Sequence, residues 1–256
     1  MTNRVYAHVP YSMLAESLPT IVARRINPEI FFPGDALDGL IPEEVTAIAG
    51  TLHDAGIHCT FHAPFIDLNP GSVERLVREA TLRRFEQVLA AADILRPDVI
   101  VFHPGYDKWR YGENQEKWLA HSIQSWRWVL ERTEKIGTIV AVENIFEEEP
   151  STLKALFEEM DHPRLRHCFD VGHWNLFHTV GMEEWFAAVG RFIGETHIHD
   201  NFGTRDDHLP PGEGAIDFDL FFSLMARYAP DAAWTIEAHC RAALDRALLA
   251  VERYRK

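Results

Sequence analysis

Thr196-His197-Ile198-His199-Asp200-Asn201-Phe202-Gly203, running on through Arg205-Asp206-Asp207-His208 and Gly212-Glu213-Gly214 to Phe218, sets the reading of the whole chain. Its opening carries two histidines two residues apart, which on a β-strand face the same side. Gly and Pro then break the pattern into a loop, where Asp206 and His208 repeat the two-residue spacing. Imidazole and carboxylate at this density point to a divalent cation among them.

Strands and helices alternate on either side of this stretch. Val5–Val9 reads as a strand, followed by a helix from about Glu16 to Ile26. Glu29–Phe32 is the second strand, closed by Pro33-Gly34. Pro42–Ala55 is a helix with Val45, Ile48, Ala49 and Leu52 on one face and Gly56 as its stop. His58–His62 is strand three, with a helix from Ser72, a candidate N-cap, to Leu95. Val99–His103 is strand four, before a long helix from Asn114 to Lys135. Thr138–Glu143 and the helix Ser151–Met160 follow. Leu165–Asp170 precedes a helix over Met182–Val189, Thr196–His199 precedes one over Asp217–Tyr228, and Ala233–Glu237 precedes one over Ala242–Tyr254. Eight strand–helix pairs without a linker imply a parallel sheet, and at this length a closed (β/α)8 TIM barrel in one domain, 1–256. No Gly-x-Gly-x-x-Gly turn follows the first strand, which disfavours an open doubly wound sheet.

Composition fits that reading. A chain of 256 residues with 46% apolar and 25% charged residues can bury a full core. No apolar run approaches the roughly 20 residues of a membrane helix, and the first residues lack the apolar core of a secretion signal. Cys59, Cys168 and Cys240 are too scattered for a disulfide framework, so a reducing cytoplasm is the expected home. A formal charge of −14 provides no basic footprint for nucleic acid.

In a barrel of this kind the active site lies at the C-terminal ends of the strands. Six consecutive strands end in residues that ligate metals: His62, His103, Glu143, Asp170, His199 and Glu237. Any one of them alone reads as a core hydrogen-bonding residue, an N-cap or an ion pair. Six in register are different, because an apolar interior does not tolerate that many uncompensated polar groups. Two residues earlier stand Thr60, Val101, Ala141, Cys168, His197 and Thr235, a floor of largely small or β-branched side chains. His197 is expected to support His199 from behind. His173, Asp206 and His208 lie in the following loops, within reach of the same space. The acidic run Glu147-Glu148-Glu149 reads as a solvated loop, and the Trp118, Trp126, Trp128 segment as packing.

These motifs together resemble the xylose isomerase-like TIM-barrel superfamily, which includes the sugar isomerases and epimerases and endonuclease IV. The resemblance rests on Phe61-His62-Ala63-Pro64, Phe102-His103-Pro104-Gly105, Val142-Glu143-Asn144, Asp170-Val171-Gly172-His173, His197-Ile198-His199-Asp200-Asn201, Asp206-Asp207-His208 with Gly212-Glu213-Gly214, and Ile236-Glu237. It spans the chain from the first strand to the last helix. The endonuclease branch implies a three-zinc site, with His62, His103, Glu143, Asp170, His173, His199, Asp206, His208 and Glu237 at its ligand positions. The epimerase branch implies one manganese-like ion on Glu143, Asp170, His199 and Glu237, with Glu149, His173 and Arg205 at the substrate positions.

The resemblance thus implies one to three divalent ions (zinc, manganese or magnesium), and their number bears on the substrate. Glu143, Asp170, Asp206 and Glu237 carry −4 between them. One divalent ion leaves −2, suited to a neutral sugar; three leave +2, suited to a phosphate. Ile145-Phe146-Glu147-Glu148-Glu149-Pro150 would repel a phosphate backbone. The expectation is therefore a metal-dependent sugar or sugar-phosphate isomerase or epimerase, with Glu143 and Glu237 passing a proton through an enediolate. Its partner would be a small sugar rather than a nucleic acid or a membrane, with a homo-oligomer allowed. The alternative is an endonuclease IV-like phosphodiester hydrolase.

Overall fold

All eight expected strands form, and they pair in chain order to close a parallel barrel. The structure, a computed structural model, describes residues 4–255. The strands are β1 (Val5–Pro10), β2 (Asn27–Phe31), β3 (Thr60–His62), β4 (Val99–Phe102), β5 (Ile139–Glu143), β6 (Leu165–Asp170), β7 (Ile193–Ile198) and β8 (Ala233–Ile236). Between and after them come α1 (Tyr11–Arg24), α2 (Gly34–Asp38), α3 (Pro42–Asp54), α4 (Arg75–Leu95), α5 (Lys108–Tyr111), α6 (Gln115–Thr133), α7 (Ser151–Met160), α8 (Val171–Phe177), α9 (Met182–Val189), α10 (Phe218–Tyr228) and α11 (Arg241–Glu252). Among the described residues, no helix is long and apolar enough to cross a membrane.

The differences from the sequence expectation lie at the ends of elements. Strands β4, β7 and β8 stop one residue early, so His103, His199 and Glu237 stand just past them rather than within. The first helix begins directly after Pro10, five residues ahead of expectation, and tolerates Pro19 inside it. Ser72 does not cap α4; Glu74 does, accepting from the Leu76 N–H at 3.1 Å. Short α2, α5 and α8 were not foreseen, because a helix of one or two turns carries too little periodicity to be legible.

The chain divides into two compact units. One runs from His8 to Ala141. Its helices pack on β4 through Phe85, Phe102 and Trp126, whose ring centroids lie 4.6–5.9 Å apart. Asn69 ties the loop after β3 together. Its Oδ1 accepts from Gly71 N–H at 2.8 Å and from Trp118 Nε1 at 3.2 Å, while its amide donates to Tyr111 Oη at 3.0 Å. The Trp118 ring leaves no room for a side chain at Gly71, where a Cβ would meet Nε1 at 2.4 Å.

The other unit holds the start of β1 and everything from Val142 onward. Phe169 on β6 packs against Phe186 of α9 at 5.0 Å and Phe221 of α10 at 6.1 Å. Each such buried ring contributes roughly 1.5–3 kcal/mol by leaving water, which anchors the helices behind strands whose far ends carry polar groups. The expected floor residues of this unit are fully buried: Cys168, His197 and Thr235 are each 0% exposed. One layer deeper the interior is not apolar. Glu195 is fully buried and accepts a hydrogen bond from the Thr235 hydroxyl.

Candidate metal centre

Seven of the nine candidate ligands belong to the second unit, and the local structure explains how each is presented. Glu143 ends β5. The next residue, Asn144, makes a reciprocal pair with the backbone of Asp170: its amide donates to the Asp170 carbonyl and its Oδ1 accepts the Asp170 N–H, both at 2.9 Å. That pair locks the end of β5 to the end of β6. Asp170 then caps α8, its Oδ1 accepting from the His173 N–H at 2.6 Å. A single turn of helix therefore carries His173 back over the carboxylate that starts it. The Nε2 of His199 lies 3.1 Å from Asp170 Oδ2, and the Nδ1 of His173 lies 3.1 Å from Glu143 Oε1.

The loop after β7 supplies the rest. Asp200, fully buried, accepts from the backbone N–H groups of Gly212 (2.9 Å), Gly214 (2.8 Å) and Ile216 (3.2 Å). The loop also pairs Asp200 with Leu209 as a short antiparallel bridge. Asn201 fastens the loop's other side to α8, donating to the Gly172 carbonyl at 3.0 Å and accepting from Asn175 at 2.9 Å. Held this way, Asp206 lies 2.9 Å from His208 Nε2, 3.5 Å from His173 Nε2 and 3.6 Å from His199 Nδ1. Imidazoles stack in a column: His199 on His208 at 4.0 Å and 3°, then His208 on His239 at 4.3 Å and 23°.

The electrostatics follow from burial in a crowd of opposite charges. Burial alone would lower His173, but the carboxylates of Asp170, Asp206 and Glu143 outweigh it and hold its pKa well above the ordinary value. The same contest raises His208, chiefly through Asp206. Burial would raise Asp206, yet its hydrogen bonds to His173 and His208 bring it far below the usual carboxylate range. Asp170 is likewise lowered against its burial, by His173 and His199.

The residues fit a divalent cation. Asp170, His173 and His199 offer ligand atoms that all lie within 4.8 Å of one another, and so do His199, His208 and Glu237. The Nδ1 atoms of His199 and His208 are buried without a hydrogen bond. A nitrogen lone pair left that way inside a ring of carboxylates is suited to a metal ion.

The remaining two candidates, His62 and His103, belong to the first unit, with ring centroids 5.1 Å apart. The Nδ1 of His62 meets its neighbour's carbonyl, Ala63 O, at 2.9 Å, which leaves Nε2 as the ligating atom. Phe65 stacks on His103 at 4.1 Å.

Two of the three expected substrate contacts are not gathered in. Glu149 is exposed and occupied at the start of α7, accepting from the Ser151 N–H at 2.8 Å. Arg205 is 82% exposed and pairs with Asp207 at 3.3 Å. Glu147, assigned to a solvated loop by its acidic neighbours, is instead buried at 4% exposure. Burial pushes its pKa up to about 7, against the Ile145 N–H that it accepts at 2.7 Å, and His173 and Glu143 act on it electrostatically. Three like residues in a row gave no signal for which one turns inward. Asn144, Asp200 and Asn201 were equally invisible as site builders, though they stand within two residues of candidate ligands in the sequence.

Comparison with known proteins agrees with the barrel. The family model for the xylose isomerase-like TIM barrel matches residues 29–255. The chain belongs to that family. Among curated relatives, the uncharacterized protein MJ1311 of Methanocaldococcus jannaschii is 31% identical over 172 residues, covering 63% of this chain and 58% of its own. The chain thus spans less than two thirds of the length of the relatives it matches first. A solved D-tagatose 3-epimerase-like protein superposes with a TM-score of 0.82 at 24% identity, over 97% of this chain and 96% of its own. A family 2 AP endonuclease from Brucella melitensis gives 0.74 at 16% identity, over 99% and 100%. These likenesses show a shared barrel.

Proposed function

We propose that this protein is a divalent-metal-dependent isomerase or epimerase of sugars or sugar phosphates, in which Glu143 and Glu237 pass a substrate proton between them. The observation that carries this reading is the convergence of those two carboxylates on one imidazole: His197 Nδ1 lies 3.4 Å from Glu143 Oε1 and 3.3 Å from Glu237 Oε1. Such a pair can remove a proton from one position or face and return it at another. Glu143, Asp170, His199 and Glu237 would hold the essential ion, with His173, Asp206, His208, His62 and His103 available to further ions of zinc, manganese or magnesium. A bound divalent cation would polarise the carbonyl and hydroxyl of the substrate and acidify the C–H between them. His173 sits beside Glu143 as a donor for a substrate oxygen. The likeness to a D-tagatose 3-epimerase-like protein favours sugar chemistry, and three free thiols fit a cytoplasmic protein.

The test is carbon-bound hydrogen exchange. Metal-loaded protein incubated with a panel of ketoses and ketose phosphates in deuterated water should incorporate deuterium next to the carbonyl. Glu143→Gln and Glu237→Gln should abolish exchange while retaining ligand binding. Absence of exchange across the panel with full metal content would overturn the reading.

A second reading, a multinuclear phosphodiester hydrolase, is favoured by Asp206 and His208, which a single-ion isomerase does not need, and by the likeness to an AP endonuclease. Chelator-sensitive nicking of an abasic-site oligonucleotide, with two or three metal atoms per chain, would establish it. One atom per chain and no nicking would leave the isomerase reading.

A further inference from the structure

Glu147 is the buried member of the acidic run, 4% exposed between an exposed Phe146 and a partly exposed Glu148. Both neighbours are fastened to the chain at the end of α8. The Phe146 ring meets Phe177 edge-on at 5.3 Å, and the Glu148 carbonyl accepts from the Thr179 N–H at 2.8 Å and from its hydroxyl at 3.1 Å. Between these two anchors the Glu147 side chain folds back on the end of β5, where Oε2 accepts the Ile145 N–H at 2.7 Å. The carboxyl lies in the electrostatic field of Glu143 and His173. Its other oxygen, Oε1, is buried with no hydrogen-bond partner among the described residues.

We propose that Glu147 is a substrate-binding residue, whose Oε1 takes a hydroxyl of a polyhydroxy ligand at the mouth of the β5 loop, in place of the outward-facing Glu149. This rests on the sugar reading of the site for the ligand class and on the loop geometry for the residue. A buried polar atom without a partner is destabilising and calls for one. Burial of the carboxyl, which raises its pKa to about 7, adds a cost to the fold at neutral pH that an amide would not carry. Groups that break a local rule at such a cost are expected where they serve function. A hydroxyl suits this oxygen because it can donate to a carboxylate and accept from a carboxylic acid, and so pairs with Glu147 in either form. The backbone bond at Oε2 leaves Oe1 fixed in place before the ligand arrives, so little freedom is lost on binding.

The test measures binding of D-fructose and D-tagatose to the metal-loaded protein by calorimetry, with metal affinity read separately by chelator competition. Glu147→Gln keeps an acceptor for the Ile145 N–H and offers an amide nitrogen in place of the second oxygen; Glu147→Met removes both polar atoms at similar bulk. The sugar dissociation constant should rise by less than about tenfold in the Gln variant and by about 10–100-fold in the Met variant, the range for a hydrogen bond to a charged group. Metal affinity should stay within about threefold of the parent in both. One monodeoxy analogue of the bound sugar, the one lacking the hydroxyl that Glu147 takes, should bind the parent and the Met variant alike. Sugar binding at the parent level in the Met variant, an equal loss of sugar and metal affinity, loss in Glu149→Gln instead, or a parent protein that binds neither sugar would overturn the assignment. A parent that binds sugar without exchanging carbon-bound hydrogen would sink the isomerase reading alone, and the variants would still decide the role of Glu147.

Discussion

Nε2 of His208 lies 2.9 Å from Oδ2 of Asp206, two residues earlier in the same loop. His208 takes a left-handed backbone, φ 48°, to turn back on its neighbour, a conformation uncommon outside Gly and Asn. Each member of the pair shifts the other, Asp206 downward and His208 upward.

The first prediction concerns the metal-free protein. His173 and His208 have raised pKa values, so their stabilisation is fully present below the unfolded histidine value of about 6.5 and fades as pH rises through the raised values. Asp206 is lowered, so its contribution is present above the ordinary carboxylate value of about 3.9 and fades as pH falls below it. The metal-free Tm should therefore be highest between roughly pH 4 and 6.5 and fall toward alkaline pH. A metal ion displaces the same protons, so the gap between loaded and metal-free Tm should widen with pH. Scanning fluorimetry with and without chelator reads both curves, and a gap independent of pH would contradict the shared-site account.

Glu147 gives a prediction of the same sign as the two histidines and opposite to Asp206. Its folded pKa is raised from 4.5 to about 7 by burial, so the fold prefers it protonated and pays more as pH climbs from the lower value to the higher. Glu147→Gln keeps an acceptor for the Ile145 N–H and removes the ionisation. The variant should match the parent at pH 4 and be more stable at pH 8, by on the order of 3 kcal/mol. Equal denaturation midpoints at both pH values would show that Glu147 ionises freely.

Asp200→Ala should uncouple the loop from the barrel. It strips the acceptor from the N–H groups of Gly212, Gly214 and Ile216, and each buried group left unsatisfied costs about 1–3 kcal/mol. Asp206 and His208 are carried by that loop, while Glu143, Asp170 and His199 are not. Elemental analysis should find metal lost from the site that uses Asp206 and His208 and retained at the other. Loss of all metal, with the fold intact by circular dichroism, would mean that the two sets are not separable.

What the sequence made legible, and what it hid, divides along physical lines. The barrel was readable because eight apolar runs with turn signals between them repeat one constraint, and the ring of ligand types at their ends has few structural uses. The strand ends shifted by a residue at His103, His199 and Glu237 because apolar pattern does not record where ladder pairing stops. Glu149 and Arg205 were placed by analogy with a family spacing, and loop backbone turned both outward. Glu147 was hidden by two identical neighbours. The roles of Asn144, Asp200 and Asn201 are side-chain bonds to distant backbone, which no local pattern announces.

Gly172 offers the sharpest mutational test of the centre itself. It is the second residue of α8, between Asp170 and His173, and a Cβ there would lie 2.0 Å from His199 Cε1 and 2.4 Å from Nδ1. The imidazole is a rigid ring held at its Nε2 by Asp170 at 3.1 Å, so it cannot yield as a flexible chain end would. Gly172→Ala should therefore push His199 out of line with Asp170 and Glu237. Overpacking of this kind costs about 1–3 kcal/mol in stability, which a barrel with so many buried rings survives. Metal affinity should fall far more, by on the order of 100-fold or beyond, since a first ligand is displaced rather than a supporting contact. Circular dichroism would report the retained fold and chelator competition the lost affinity. An alanine variant that binds metal as the parent does would show that His199 is not a ligand, and the centre would have to be rebuilt around His173, His208 and Glu237.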